Sequence, residues 1–72
     1  MNQQEIQKIV QRIDVLSKSV ADNLDRLQAA TDPDWIDELN AEISAARREI
    51  AQLKKKLAEA TRQEAQEHEA TQ

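Results

Sequence analysis

Apolar residues in the second half of this 72-residue chain recur at alternating intervals of three and four. An α-helix with this spacing carries all of them on one stripe, which is typical of a coiled-coil seam. The pattern therefore predicts a coiled-coil helix over the second half. The members of the stripe are Ile36, Leu39, Ile43, Ala46, Ile50, Leu53, Leu57 and Ala60.

The first half carries a similar stripe with one irregularity, which falls at Asn23. An uninterrupted heptad would place a core residue at this position, and Leu24 follows directly. We expect Leu24 to take over in the seam and Asn23 to face solvent. The alternative makes Asn23 a polar seam residue that sets register or oligomeric state at some cost in stability. The large apolar residues of this half are Ile6, Ile9, Ile13, Leu16, Val20, Leu24 and Leu27.

Between the stripes stands TDPDWIDEL, residues 31–39, with the only proline of a chain that has no glycine. Pro33 suits the first position of a helix, and Asp32 before it is a good N-cap that is disfavoured in the α conformation. The sequence therefore predicts an all-α antiparallel helical hairpin, residues 1–60, with helices at about 3–30 and 33–60 and a turn at 30–32. Residues 61–72 lack large apolar groups, and we expect a frayed helical or disordered tail.

Folding the chain back about this turn brings together residues whose numbers sum to the low sixties. Large apolar residues then face large apolar residues along the seam. The same register lets Glu5 approach Lys56 and Arg12 approach Glu49. A shift of about three residues in either direction also gives a reasonable seam.

The first helix has more apolar surface than one stripe needs, because Val10, Ala21 and Leu24 widen it on one side. The second helix carries small residues on its matching side, such as Ala51 and Ala58, and small residues permit close approach of another helix. We expect two hairpins to form a homodimeric four-helix bundle, since so small a chain buries little core alone. The alternative is that the widened stripe only reflects the helical period of 3.6.

Trp35 is the only aromatic residue of the chain. Tryptophan is enriched in interface hot spots, which would make it an anchor for a partner. We favour a lid over the end of the core, a role compatible with an anchor if one ring face stays exposed. Acidic residues beside it would steer the hairpin toward a basic surface. The predicted partner-binding residues are Trp35, Val10, Ala21, Leu24, Asp34 and Glu38.

Basic residues recur at every seventh position on the second helix and form a basic ridge of Arg48, Lys55 and Arg62. Such a ridge can contact phosphates or an acidic protein, although a solvated outer face is the simpler interpretation. The net charge of −4 and the lack of interleaved aromatic residues argue against nucleic acid.

Catalytic and ligand-binding constellations are missing from the sequence. The only histidine, His68, has Glu64 one turn earlier, and two such residues in a tail make a poor metal site. There is no cysteine, and there is no glycine for a phosphate-binding loop. We therefore expect no enzyme, cofactor, metal or small-molecule ligand. No stretch approaches the roughly 20 apolar residues of a membrane span, and the N-terminus lacks a signal pattern, so we expect a cytoplasmic protein.

The predicted architecture resembles that of Rop-type helical hairpins, which dimerise into four-helix bundles and bind an RNA complex. The resemblance covers shape and length but no motif, so it transfers no residue. The leading hypothesis is a small non-enzymatic, regulatory protein–protein interaction module: an adaptor, inhibitor or assembly chaperone that acts by helix-face docking. The alternatives are nucleic-acid binding along the basic ridge and a purely structural coiled-coil element.

Overall fold

The computed structural model describes the backbone of residues 2–70 and the side chains of residues 2–62. It has two helices, α1 (Gln3–Ala29) and α2 (Pro33–Ala70), which pack against each other. The molecule is a rod of 60 × 16 × 14 Å. The predicted all-α helical hairpin is confirmed.

The first helix begins at a capped end. Asn2 has extended backbone angles, and its Oδ1 accepts a hydrogen bond of 2.9 Å from the Glu5 amide, which has no acceptor within the helix. The helix ends at Ala29, and the next residue, Ala30, is extended again, with φ −74° and ψ 134°. The chain therefore leaves α1 without needing a glycine in a left-handed conformation.

The second helix begins at Pro33, as its sequence predicts. The Asp32 carbonyl accepts the first helical hydrogen bond, 2.9 Å long, from the amide of Ile36. Proline lacks an amide hydrogen, and at the first helical position none is needed. The turn thus comprises residues 30–32, the range predicted.

The second helix is longer than the first, with 38 residues against 27. At 1.5 Å per residue the two are about 57 and about 40 Å long, so the end of α2 extends beyond the start of α1. We predict a frayed helical or disordered tail over residues 61–72, and the backbone is helical up to Ala70. Residues 71 and 72 lie outside the described residues.

Two side-chain contacts between the helices establish the register. Arg12 Nε lies 2.7 Å from Glu49 Oε2, which is one of the two predicted pairs. Asn23 Nδ2 donates to Glu42 Oε2 at 3.2 Å, nearer the turn. Both contacts join residues whose numbers sum to the low or middle sixties, in agreement with the predicted folding-back.

The core is one thin stripe between the helices. Its buried apolar residues are Leu16, Leu39, Ile43 and Ala60, each no more than 8% exposed. Other seam residues, including Ile13 and Leu53, remain partly exposed. Leu39 and Ile43 lie near the turn, Leu16 lies at the middle of α1, and Ala60 lies at the other end of the hairpin.

The prediction for Asn23 and Leu24 is wrong. Asn23 is 4% exposed and lies in the seam, whereas Leu24 is 38% exposed. The amide of Asn23 is satisfied on both sides, because Nδ2 donates to Glu42 and Oδ1 accepts from Arg26 Nη1 at 3.1 Å. A hydrogen-bonded amide can be buried at modest cost. The heptad therefore continues through Asn23, and the irregularity read from the sequence is absent.

Candidate docking surface

The seam between the helices has a long flank on each side. Each flank is formed by one row of α1 residues and one row of α2 residues that lie directly beside the seam. Their members follow from the heptad positions and the register. The polar flank consists of Glu5, Arg12, Ser19 and Arg26 on α1 and Trp35, Glu42, Glu49 and Lys56 on α2. The open flank consists of Val10, Ser17 and Leu24 on α1 and Asn40, Arg47 and Lys54 on α2.

Polar groups on the polar flank bind one another. Arg12 donates to both oxygens of Glu49, at 2.7 and 3.4 Å. This hydrogen bonding lowers the pKa of Glu49 and raises that of Arg12. Glu42 and Arg26 are both tied to the buried amide of Asn23. The middle of this flank is therefore closed by bonds within the hairpin.

The open flank exposes two large aliphatic side chains. Val10 is 50% exposed and Leu24 is 38% exposed, with the small, exposed Ser17 midway between them. Successive members of this row are seven residues apart, which is about 10.5 Å along a helix. The row forms an apolar edge about 21 Å long on α1.

The α2 side of the open flank is basic. Arg47 and Lys54 are exposed, and they have the same seven-residue spacing as the aliphatic row. The ion pairs found among residues 2–62 are Arg12 with Glu49 and Lys18 with Asp14. Within the part of the chain whose side chains are described, Arg47 and Lys54 therefore have no acidic partner.

Small residues border the open flank on its outer sides. Ala21 lies beside Leu24 on α1, and Ser44, Ala51 and Ala58 belong to the outer row on α2, all of them exposed. The same rows also contain two exposed acidic residues, Asp14 on α1 and Asp37 at the turn end of α2. Such side chains leave room for another backbone to approach. The structure thus brings three predicted partner-binding residues, Val10, Ala21 and Leu24, onto one exposed surface.

The other three predicted partner-binding residues lie elsewhere. Trp35, Asp34 and Glu38 are on the first turns of α2, and Trp35 is 41% exposed on the polar flank. The predicted set therefore divides between the open flank and the turn end of the polar flank. A single helix laid along the open flank would not contact the indole ring.

The predicted basic ridge is exposed on the outer face of α2. Arg48 and Lys55 follow Arg47 and Lys54 directly in sequence but lie about 100° further around α2. The outer row of Ser44, Ala51 and Ala58 therefore separates the ridge from the basic row of the open flank. The position of the ridge, away from α1, is also that of an ordinary solvated helix face.

Sequence reasoning missed Val15, which is 54% exposed on α1. It lies off both apolar stripes, on the outer side next to the polar flank, so no periodic signal draws attention to it. A shallow depression of about 420 Å³ also lies on this side, at the end of the hairpin away from the turn, lined by Glu5, Lys8, Ile9 and Lys56. Glu5 and Lys56 both line this depression, but the predicted pair is not among the ion pairs found over residues 2–62.

The described residues include no group of three or more histidine, cysteine, aspartate and glutamate side chains that could hold a metal ion. The side chain of His68 lies outside the described part. Neither helix, over the residues described, has a stretch long and apolar enough to cross a membrane. None of the protein families, curated proteins and solved structures with which the chain was compared matches it.

Proposed function

We propose that this chain is a small, non-enzymatic protein–protein interaction module that acts by helix-face docking, and that the open flank is its docking surface. In such a role it would serve as an adaptor, an inhibitor or an assembly chaperone. Trp35 and the acidic residues beside it would form a second contact at the turn end, where a basic partner surface would fit.

The observation that carries this proposal is the exposure of Val10 and Leu24 on the open flank. Among residues 2–62, side-chain hydrogen bonds between the helices involve the polar flank and Asn23, and none of them involves the residues of the open flank. Complete burial of a valine or leucine side chain contributes roughly 1.5–3 kcal/mol. Val10 is 50% exposed and Leu24 38% exposed, so covering them would contribute roughly 1 kcal/mol each. The hairpin alone leaves this contribution unused.

The thin core supports the same conclusion. Seam residues such as Ile13, Ile50 and Leu53 stay partly exposed even though both helices are in place. A helix laid along the open flank would cover part of this surface together with Val10 and Leu24. A second copy of the chain and a helix of another protein are both occupants of this kind.

A pull-down from the source cell tests the proposal, with the wild-type chain as bait beside Leu24→Asp and Val15→Asp. The two variants introduce the same charge in place of exposed aliphatic residues of α1, but only Leu24 lies on the open flank. We expect Leu24→Asp to lose at least nine-tenths of a specifically recovered protein and Val15→Asp to keep it. Circular dichroism would show that both variants remain helical.

Full recovery by Leu24→Asp, with recovery also unchanged in Trp35→Ala, would refute helix-face docking at the proposed surfaces. Equal loss in Leu24→Asp and Val15→Asp would also count against it, because the effect would then follow from charge on α1 in general.

A further inference from the structure

We infer that the occupant of the open flank is a helix of a different protein, with an apolar stripe and a row of acidic residues beside it, rather than a second copy of this chain. This inference rests on the proposed function and names the class of partner. It follows from the two rows of the open flank, one aliphatic and one basic, which run parallel along its length.

The basic row makes the open flank differ in charge from the rest of the chain. The whole chain has a net charge of −4, yet the rows of the open flank contain two cations and no acid. Asp14, on the outer side of α1, is already within 3.0 Å of Lys18. Arg47 and Lys54 therefore offer two positive charges to whatever covers the flank.

A second copy fits poorly in the first of two symmetric arrangements. A two-fold axis perpendicular to the helices lays α1 on α1, so that Val10 of one copy meets Leu24 of the other and Ser17 lies at the axis. In the observed register Arg47 is level with Ser17. The same axis therefore sets Arg47 against Arg47 of the other copy, and like charges repel at a contact from which water is excluded.

The second symmetric arrangement places the axis parallel to the helices, and α1 of each copy then lies on α2 of the other. Val10 meets Lys54, and Leu24 meets Asn40. Each aliphatic side chain is then opposite a polar or charged group. Neither arrangement provides apolar contacts for the aliphatic row and acidic contacts for the basic row together.

A helix of another protein can satisfy both rows at once. Its apolar stripe would contact Val10 and Leu24, with Ser17 leaving room at the centre. Acidic residues on its α2-facing side would reach Arg47 and Lys54, and the spacing of those cations requires two acids seven residues apart. The 21 Å edge from residue 10 to residue 24 needs a partner helix of about 15 residues, or four turns.

The inference can be tested with a pair of synthetic peptides and the full chain. Each peptide has 21 residues in three heptads, with leucine on one stripe and a flanking row that is all glutamate in one peptide and all lysine in the other. Fluorescence anisotropy of the labelled peptides measures binding. We expect the glutamate peptide to bind the wild-type chain at least tenfold more tightly than the lysine peptide.

Two matched double variants locate the charge effect. Arg47→Glu with Lys54→Glu reverses the basic row of the open flank, and we expect it to reverse the preference between the peptides. Arg48→Glu with Lys55→Glu makes the same change of net charge on the basic ridge, beyond the outer row of small residues, and we expect the preference for glutamate to remain. Leu24→Asp should weaken binding of the glutamate peptide at least tenfold.

Equal binding of the two peptides, or an equal effect of the two double variants, would overturn the inference. Sedimentation equilibrium of the full chain at micromolar concentrations gives a further test, for which we expect a monomer. A dimer that Leu24→Asp converts to a monomer would identify a second copy as the occupant. That result would overturn this inference and leave helix-face docking intact, whereas a pull-down insensitive to both Leu24→Asp and Trp35→Ala would refute the docking itself.

Discussion

Leu39 and Leu53 occupy equivalent seam positions two heptads apart on α2, and the structure buries them to different depths. Leu39 is 3% exposed, whereas Leu53 is partly exposed. Leucine-to-alanine changes at buried sites cost about 2–5 kcal/mol, because apolar contact is lost and a cavity remains. At Leu53 less contact is lost and the space opens to solvent. We expect Leu39→Ala to cost about 3 kcal/mol and Leu53→Ala about 1.5 kcal/mol.

Urea unfolding followed by circular dichroism at 222 nm measures both costs, as differences in the free energy of unfolding. A single chain of this size has only a few kcal/mol of stability, so Leu39→Ala should be largely unfolded even without urea at elevated temperature. The measurement is therefore best made at 10–20 °C, where stability is typically greatest. The urea dependence of the free energy should be the same for both variants, because the surface exposed on unfolding hardly changes.

Equal costs for the two substitutions would refute this reasoning. They would mean that Leu53 is covered as deeply as Leu39 in solution, which the hairpin alone does not achieve. A midpoint that rises with protein concentration would then identify the covering molecule as a second copy of the chain. A midpoint independent of concentration, together with unequal costs, is the result expected for a single hairpin.

Three further predictions follow from individual contacts. Asn23→Ala should lower the free energy of unfolding by about 1–2 kcal/mol in urea titrations, because two hydrogen bonds of a buried amide are lost. A change within about 0.5 kcal/mol would instead indicate that Asn23 faces solvent. Asn2→Ala should cost about 1 kcal/mol by the same measurement and Asn2→Ser much less, because only the serine can still cap α1. Arg12 holds the pKa of Glu49 below its usual value. The pair therefore stabilises the fold at pH values above the unfolded-state pKa of Glu49, about 4.3. This stabilisation is lost as the pH falls through the lower pKa that Glu49 has in the folded state. The wild type should therefore lose more stability than Glu49→Gln between pH 7 and pH 3 in paired urea titrations, and parallel losses would contradict the assignment.

The hairpin itself was predictable from local signals. The 3,4 spacing is a property of each helix alone, and Pro33 can only begin a helix in this context, so the fold class and the turn at 30–32 follow without knowledge of packing. The predicted contact between Arg12 and Glu49 depends only on where the chain turns. The residue at which α2 ends was harder to predict from the sequence, because no glycine or proline after residue 60 marks the end of a helix.

The sequence by itself determined two amphipathic helices, their antiparallel order and an approximate register. Only the tertiary structure decided which of the neighbours Asn23 and Leu24 enters the seam. Adjacent residues differ by about 100° around a helix, and hydrophobicity alone favours Leu24. Glu42 lies across the seam and Arg26 one turn along α1, and together they satisfy the amide of Asn23. The burial of Asn23 keeps the heptad unbroken and leaves Leu24 beside Val10 on the open flank, an outcome that depends on a contact between helices and is invisible in the spacing of either one.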